Sequence, residues 1–351
     1  MRKEKNSFLK ALSNESYEIV PLYCTGFHEI GFITNYLATY SLDYDNKNDL
    51  ILFGKNYNII RSMGFDAVSL WDFRRSKGGY MLNDDLKVDP WGRIFRNRWY
   101  QNEGVLKNET TLNNWTHLKP PSEVKMKNLK KFLEASKSSL VPVLSLPGLF
   151  EKSWQCMGFV QFAKSLKQEL SFLRRVIKFF FDYTIELLDL LQKTGARVFL
   201  IADDIGYKHR AFIPKTLWES YFFKKYCDIV NFIHKKRGKV IFHSDGYICD
   251  YMDTIISLNF DAVQSLEPKA GVNIFKLFKQ YQDQICFIGN LDISDLIFKT
   301  PRYITNYVYK LMKNAKISKS RLVVSPTQQI NKKVKPSTVK AMIKTVKRKK
   351  M

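Results

Sequence analysis

This 351-residue sequence holds no apolar run of the roughly eighteen residues needed to cross a bilayer, so a soluble protein with no membrane partner is expected. Its five cysteines, Cys24, Cys156, Cys227, Cys249 and Cys286, are scattered, odd in number and without C-x-x-C spacing. That pattern argues against a disulfide framework and against a thiolate metal cage. No glycine-rich phosphate loop follows the first apolar run, which counts against a dinucleotide-binding sheet. The opening Met1-Arg2-Lys3-Glu4-Lys5-Asn6 leads into no long apolar segment with a small-residue cleavage site, so no signal peptide is expected and the cytoplasm is the expected compartment. Clustered arginines with interleaved aromatics and Cys/His zinc patterns are also missing, so no specific nucleic-acid partner is expected.

What the chain has in excess is positive charge, a formal +24. The charge is spread thinly. Its densest block runs from Lys344 to Lys350, with Lys332, Lys333 and Lys335 a little upstream, while the remainder reads as solvated helix faces. The basic tail would give at most weak, salt-sensitive adhesion to polyanions. With 45% hydrophobic and 14% aromatic residues, the composition is that of a folded globular protein.

Eight short apolar runs rich in β-branched residues punctuate the sequence: Val20 to Thr25, Ala67 to Leu70, Val141 to Leu146, Val198 to Ala202, Lys239 to Phe242, Ala262 to Leu266, Ile285 to Ile288 and Leu322 to Ser325. Most are followed by amphipathic stretches of helical period. Examples are Phe172 to Lys193, ending in Thr194-Gly195, and Thr216 to Arg237, where Gly238 is the expected C-cap. Alternating strand and helix repeated eight times predicts an α/β fold, a single (β/α)8 TIM barrel. The expected organisation is one domain across residues 1–351, its barrel covering about 20–346, with the basic tail at its end. From Asp72 to Lys119 the spacing is too long for one helix. This segment is expected to be a long insertion loop after strand 2 with a small hairpin, Trp91 to Phe95 forming one strand after a turn. It would serve equally as a lid over the site or as decoration of the rim. Pro120-Pro121-Ser122 then reads as a helix entry.

In such a barrel, chemistry collects just past the strand ends. Those positions read His28-Glu29, Asp72, Asp203-Asp204, His243-Ser244-Asp245-Gly246, Glu267-Pro268, Asn290 with Asp292, and Gln328-Gln329. His243 and Asp245 lie two apart, so on a strand of period two they leave the same face. Taken singly, each residue reads first as an N-cap or turn former, most strongly Asp292 and Asp72. As a set they suit two chemistries. Close carboxylates such as Asp204, Asp245 and Glu267 raise one another's pKa and can supply a general acid. His243 and Asp245, completed by Glu267 or a glutamine, can hold a divalent metal, zinc being the candidate. For His243, structural hydrogen bonding, acid-base work and metal binding carry equal weight.

The ordered series Ala202-Asp203-Asp204-Ile205-Gly206, His243-Ser244-Asp245-Gly246, Leu266-Glu267-Pro268 and Ile288-Gly289-Asn290-Leu291-Asp292 resembles the uroporphyrinogen decarboxylase superfamily. Val88-Asp89-Pro90-Trp91-Gly92-Arg93 resembles the family's insertion hairpin, and Ser325-Pro326-Thr327 with Val339 to Met342 its last strand and helix. The resemblance covers about Val20 to Val346 and implies a barrel with its site at the carboxyl ends of the strands. Two activities occur in the superfamily. Decarboxylases carry an arginine-rich amino-terminal motif that grips substrate carboxylates. Here no arginine occurs between Val20 and Tyr40, and Thr25-Gly26-Phe27-His28-Glu29 stands instead, leaving Arg74, Arg75 or Arg93 to substitute. Corrinoid-linked methyltransferases hold zinc through His-x-Cys and a later cysteine. In this chain His243 matches the histidine, Asp245 stands at the first cysteine position and the late position falls near Gln328.

The resemblance therefore implies a methyltransferase subunit acting at the carboxyl-terminal mouth of the barrel on a small-molecule substrate, with a corrinoid carried by a partner protein. His243, Asp245, Glu267 and Asp204 are the expected catalytic residues. His28, Asp72, Asp203, Asn290, Asp292 and Gln328 are expected to bind substrate, and His243, Asp245 and Glu267 to hold any metal. The alternatives are a uroporphyrinogen decarboxylase of porphyrin biosynthesis and, from another class, a non-catalytic scaffold barrel.

Overall fold

A computed structural model describes residues 6–27, 31–40, 57–73, 78–136, 140–168 and 171–348. Eight parallel strands form one sheet in sequence order: β1 (Tyr23–Cys24), β2 (Ala67–Leu70), β3 (Val141–Pro147), β4 (Val198–Ala202), β5 (Lys239–Ser244), β6 (Ala262–Ser265), β7 (Cys286–Leu291) and β8 (Leu322–Pro326). The sheet returns on itself where Leu22 bridges Val324, the Val324 N–H donating to the Pro21 carbonyl at 2.9 Å. This is the (β/α)8 barrel expected from the eight runs, each strand lying on the run that predicted it. Such strands are apolar on both faces, because one face meets the barrel interior and the other the surrounding helices. Ala67, Val143, Val198, Leu200, Ile241, Ala262, Ile288 and Val323 belong to the smaller, inner core. Phe199, Ile201, Val240, Phe242, Val263 and Phe287 belong to the outer one with the helices.

The amino end of the barrel is closed by a helix, Ser7–Leu12, capped by the Asn6 side chain. It buries Phe8, Ala11 and Leu12 among the inner core residues, and Arg321, at the start of β8, donates to the Ala11 carbonyl at 2.9 Å. Burying each large apolar side chain there contributes about 2 kcal/mol. The opposite, carboxyl end is where the polar strand ends gather.

The segment between β2 and β3 differs from the loop and small hairpin expected. It builds a four-stranded antiparallel sheet, Tyr80–Met81, Leu86–Val88, Arg93–Arg96 and Trp99–Gly104. Trp91 belongs to its turn and is buried, and the strand begins at Arg93. The Asp89 carboxylate shapes that turn by accepting from the Trp91 and Arg93 N–H groups, both at 3.0 Å. Gly92 is required there, because its φ is +83° and a Cβ would lie 3.0 Å from Leu106. The sheet is tied to the helix Leu149–Met157 through Tyr100, whose hydroxyl donates to the Gln155 carbonyl, and through the Leu106 N–H, which donates to the Cys156 carbonyl, both at 2.9 Å.

Two helices refine the sequence reading. The stretch expected over Thr216 to Arg237 runs as Lys215–Trp218, a π-turn Glu219–Phe223, and Lys224–Lys235. Its end is a Schellman motif in which Arg237, at φ 56°, takes the left-handed position, while the N–H of Gly238 donates to the Ile233 carbonyl at 3.0 Å. Gly238 is thus selected by close approach, since a Cβ would meet Ile233 at 2.7 Å. Ser122 caps the helix Glu123–Ala135, as the Pro-Pro-Ser entry suggests. Among the described residues, no helix is long and apolar enough to cross a membrane.

Candidate functional site

The chain leaves β4 through Asp203 and Asp204 and leaves β5 through Asp245. Paired strands therefore bring these residues together, with Ala202 opposite His243 in register. His243, buried at the end of β5, directs Nε2 toward two carboxylates, lying 3.8 Å from Asp204 Oδ1 and 3.8 Å from Asp245 Oδ1. The three donor atoms of Asp204, His243 and Asp245 all lie within 4.8 Å of one another. Between them, Ser244 points the other way. Its hydroxyl accepts from the Ile205 and Gly206 N–H groups at 3.0 and 3.1 Å, locking the turn that carries Asp204. The Asp245 N–H donates to Asp204 Oδ1 at 3.1 Å.

The far side of the imidazole is held as well. His243 Nδ1 bonds the Gln264 side-chain oxygen, and the indole of Trp71 stands edge-on to the ring, centroids 5.9 Å apart. With Nδ1 satisfied as a donor, the neutral ring carries a lone pair on Nε2. At 3.8 Å neither carboxylate is within hydrogen-bonding distance of it. A cation between the ring nitrogen and the two carboxylates, whether a proton on Nε2 or a metal ion, is favoured by their charge. One imidazole with two carboxylates suits zinc or another borderline divalent ion, so the donor set fits a metal.

The other expected site residues are placed as follows. Glu267 leaves β6 after Leu266, which adopts φ 64° in the left-handed region and is buried. The Asn290 amide donates to the Leu266 carbonyl at 2.6 Å, and Tyr307 donates to the Asn290 side-chain oxygen at 2.7 Å. The bend turns Glu267 back, so that its carboxylate accepts from the Gly246 N–H at 2.8 Å and from the Gln328 amide at 3.0 Å. The cluster of possible metal donors therefore contains Asp204 beside His243 and Asp245, while Glu267 braces the glycine that follows them. Asp292 caps the helix Ile293–Phe298 by accepting from the Ser294 N–H at 2.8 Å. Asp72 lies in the short 3-10 turn Trp71–Phe73 after β2. His28 lies outside the described residues.

Asp203 is fully buried. Its oxygens accept from the Phe150 and Glu151 N–H groups, at 3.1 and 2.6 Å, and from the Tyr226 hydroxyl. Those amides open the helix Leu149–Met157, so the carboxylate serves as its anchor. Burial pushes the carboxyl up to about 7 despite these donors.

Gln264, Trp71, Ser244 and Tyr226 are parts of this arrangement that the sequence reading did not single out. Gln264 carries a signal that points to it, being an amide in the middle of the apolar run Ala262 to Leu266 and paired in register with His243. The hairpin strands Gly206–Tyr207 and Arg210–Ala211 contribute Tyr207, Arg210 and Ala211 to a cavity of about 910 Å³, whose lining does not include Asp204, His243 or Asp245. Trp154, Phe159, Tyr207 and Phe212 line it, with Asn102 and Asp250 at polar positions.

A (β/α)8 barrel with titratable side chains converging past its fourth and fifth strands defines the class. Within that class, the chain belongs to the uroporphyrinogen decarboxylase (URO-D) family, whose model matches residues 105–349. The structure is similar to that of a methyltransferase from Methanosarcina mazei, with a TM-score of 0.71 and 15% identity over 97% of each chain. At that identity the likeness shows the fold. A D-psicose 3-epimerase from Clostridium cellulolyticum H10 is also similar, at a TM-score of 0.44 and 10% identity over 83% of this chain and 90% of the other, too low to carry an argument. No curated protein sequence matches.

Proposed function

We propose that this barrel is a corrinoid-linked methyltransferase subunit that works at the carboxyl ends of its strands with a divalent metal, zinc being the first candidate, held by Asp204, His243 and Asp245. The observation that carries the reading is the convergence of one imidazole lone pair and two carboxylates on a single point. A divalent cation bound there would supply Lewis acidity, lowering the pKa of an acceptor's thiol or hydroxyl. Asp204 and Asp245 would balance its charge, and Ser244 would keep the Asp204 turn in place. Glu267, steadied by the Gly246 N–H and Gln328, would take the proton that the acceptor releases. The acceptor's lone pair forms the new bond to the methyl carbon, and the partner protein's corrinoid, as substrate, keeps the electron pair of the bond that breaks. The protein would work in the cytoplasm.

The decarboxylase reading is weaker on a specific ground. Arg93, a candidate substitute for the missing arginine motif, already gives its Nε and Nη2 to Asp89 at 2.8 and 2.6 Å and its Nη1 to Gln155 at 3.1 Å. Arg74 and Arg75 lie outside the described residues.

Zinc-loaded full-length protein incubated with methylcobalamin and a panel of simple thiols and alcohols tests the proposal, with uroporphyrinogen as the parallel substrate. Metal-dependent loss of the methyl–cobalt absorbance is expected. Carboxyl loss from uroporphyrinogen without methyl transfer would overturn the reading in favour of a decarboxylase, and inactivity in both assays in favour of a scaffold.

A further inference from the structure

We propose that Gln264 is a positioning residue: it holds His243 in the tautomer that leaves Nε2 bare toward Asp204 and Asp245, and so sets the affinity of that cluster for a divalent cation. The inference deepens the metal-site reading above and rests on it for its second half. His243 and Gln264 are register partners on β5 and β6, so their side chains leave adjacent strands at the same level. Gln264 is fully buried, which denies its amide any exchange with water.

The orientation of that amide follows from its surroundings. Its Nε2 lies 3.4 Å from the Thr327 carbonyl oxygen, which also accepts from the Ser265 hydroxyl at 2.8 Å. Reversing the amide would put oxygen against oxygen there, so the donor end faces Thr327 and the acceptor end faces His243. An acceptor at Nδ1 is satisfied only by a proton on Nδ1. A neutral imidazole has one such proton, so Nε2 has none. The opposite tautomer would bury two facing lone pairs between Nδ1 and the Gln264 oxygen, with no water to separate them.

Metal-bound histidines commonly rely on a carboxylate or a main-chain carbonyl for this service. A neutral amide does it here, and the charges suggest why. Asp204 and Asp245 together match a doubly positive ion. A third carboxylate behind the imidazole would leave a surplus negative charge in a buried position. Gln264 orients the ring without adding charge.

Ring-nitrogen NMR of the metal-free protein, with His243 assigned by substitution, reads the tautomer directly, and zinc titration calorimetry reads affinity. Wild type is expected to show the proton on Nδ1. Gln264→Met, similar in size but with no acceptor, should lose that preference and bind zinc about 10- to 100-fold more weakly. Gln264→Glu should restore the Nδ1 proton, a rescue that a merely space-filling residue would not give. A protonated Nε2 in the neutral ring of wild type overturns the proposal even if the Met variant fails to fold. An unchanged tautomer, or zinc affinity within about twofold of wild type in the Met variant, overturns it too. Failure of wild type to take up zinc, cobalt(II) or manganese(II) overturns the metal reading instead, and the ring-nitrogen spectrum still decides what Gln264 does to the imidazole.

Discussion

Asp203 and Asp204 are the same residue at adjacent positions, yet they occupy opposite kinds of surroundings. Asp203 points outward into the packing between barrel and helix, where two main-chain amides and the Tyr226 hydroxyl surround it with donors. Asp204 points toward the His243 imidazole and the Asp245 carboxylate, with the Asp245 N–H donating to its Oδ1. A buried acid supplied with donors is finished as a structural element. An acid that faces an imidazole at 3.8 Å with a second carboxylate beside it can share a cation with them, which makes this cluster a candidate site. The difference comes from direction alone, since successive residues of an extended chain face opposite ways.

The contrast breaks most visibly at Asp203. Replacing it with Ala leaves the Tyr226 hydroxyl and two helix-opening amides without their acceptor, and stability to urea should fall by about 4 kcal/mol. Zinc affinity of the folded fraction should stay near wild type. Asp204→Asn should do the reverse. One donor oxygen loses its charge, so zinc affinity drops roughly 10- to 100-fold, about 1.4 to 2.7 kcal/mol, while stability moves by less than about 1 kcal/mol, since the amide oxygen can still accept from the Asp245 N–H. If both variants lose stability and metal together, the two acids are one unit and the contrast fails.

A pH series sharpens the same comparison. Burial lifts the Asp203 carboxyl to about 7 from its ordinary 3.8, so between those values the folded protein keeps a proton that the unfolded chain has released. Stability from this group is full below the lower value and is lost as pH rises through the upper one. Wild type should therefore lose stability relative to Asp203→Asn as the pH is raised from about 4 to about 7, and hold steady above that. Denaturation midpoints of the two proteins across this window check it. A difference that is flat with pH would mean that the three donors offset burial and that Asp203 is ionised throughout.

The barrel was legible because each buried strand needs an apolar run, and runs such as Ala67 to Leu70 and Val198 to Ala202 coincide with the strands themselves. The neighbourhood of His243 was legible for a related reason, since a strand end in a barrel has only one place to go. What each acid does there was harder to read. Nothing in Asp203-Asp204 tells which carboxylate turns to the helix Leu149–Met157, because that helix opens some fifty residues earlier in the chain. The bend at Leu266 that turns Glu267 toward Gly246 depends on Asn290 and Tyr307 in the same way. The turn-rich segment after β2 read as loop because its strands are short and half exposed, so alternation had little burial to follow.

The smallest effect belongs to Gln328, and it tests how far the open surroundings of the cluster extend. Gln328 is exposed and donates to Glu267, whose other oxygen is already engaged by the Gly246 N–H. Gln328→Ala removes a bond that water can replace, so stability should change by less than about 0.5 kcal/mol. The Gly246 contact alone should still hold Glu267 beside the cluster, leaving zinc affinity unaltered. If the amide serves only as a brace, methyl transfer by the variant keeps its KM and loses little of its turnover. A rise in KM with unchanged turnover would instead make Gln328 a substrate contact, extending the functional surroundings of Asp204 as far as β8.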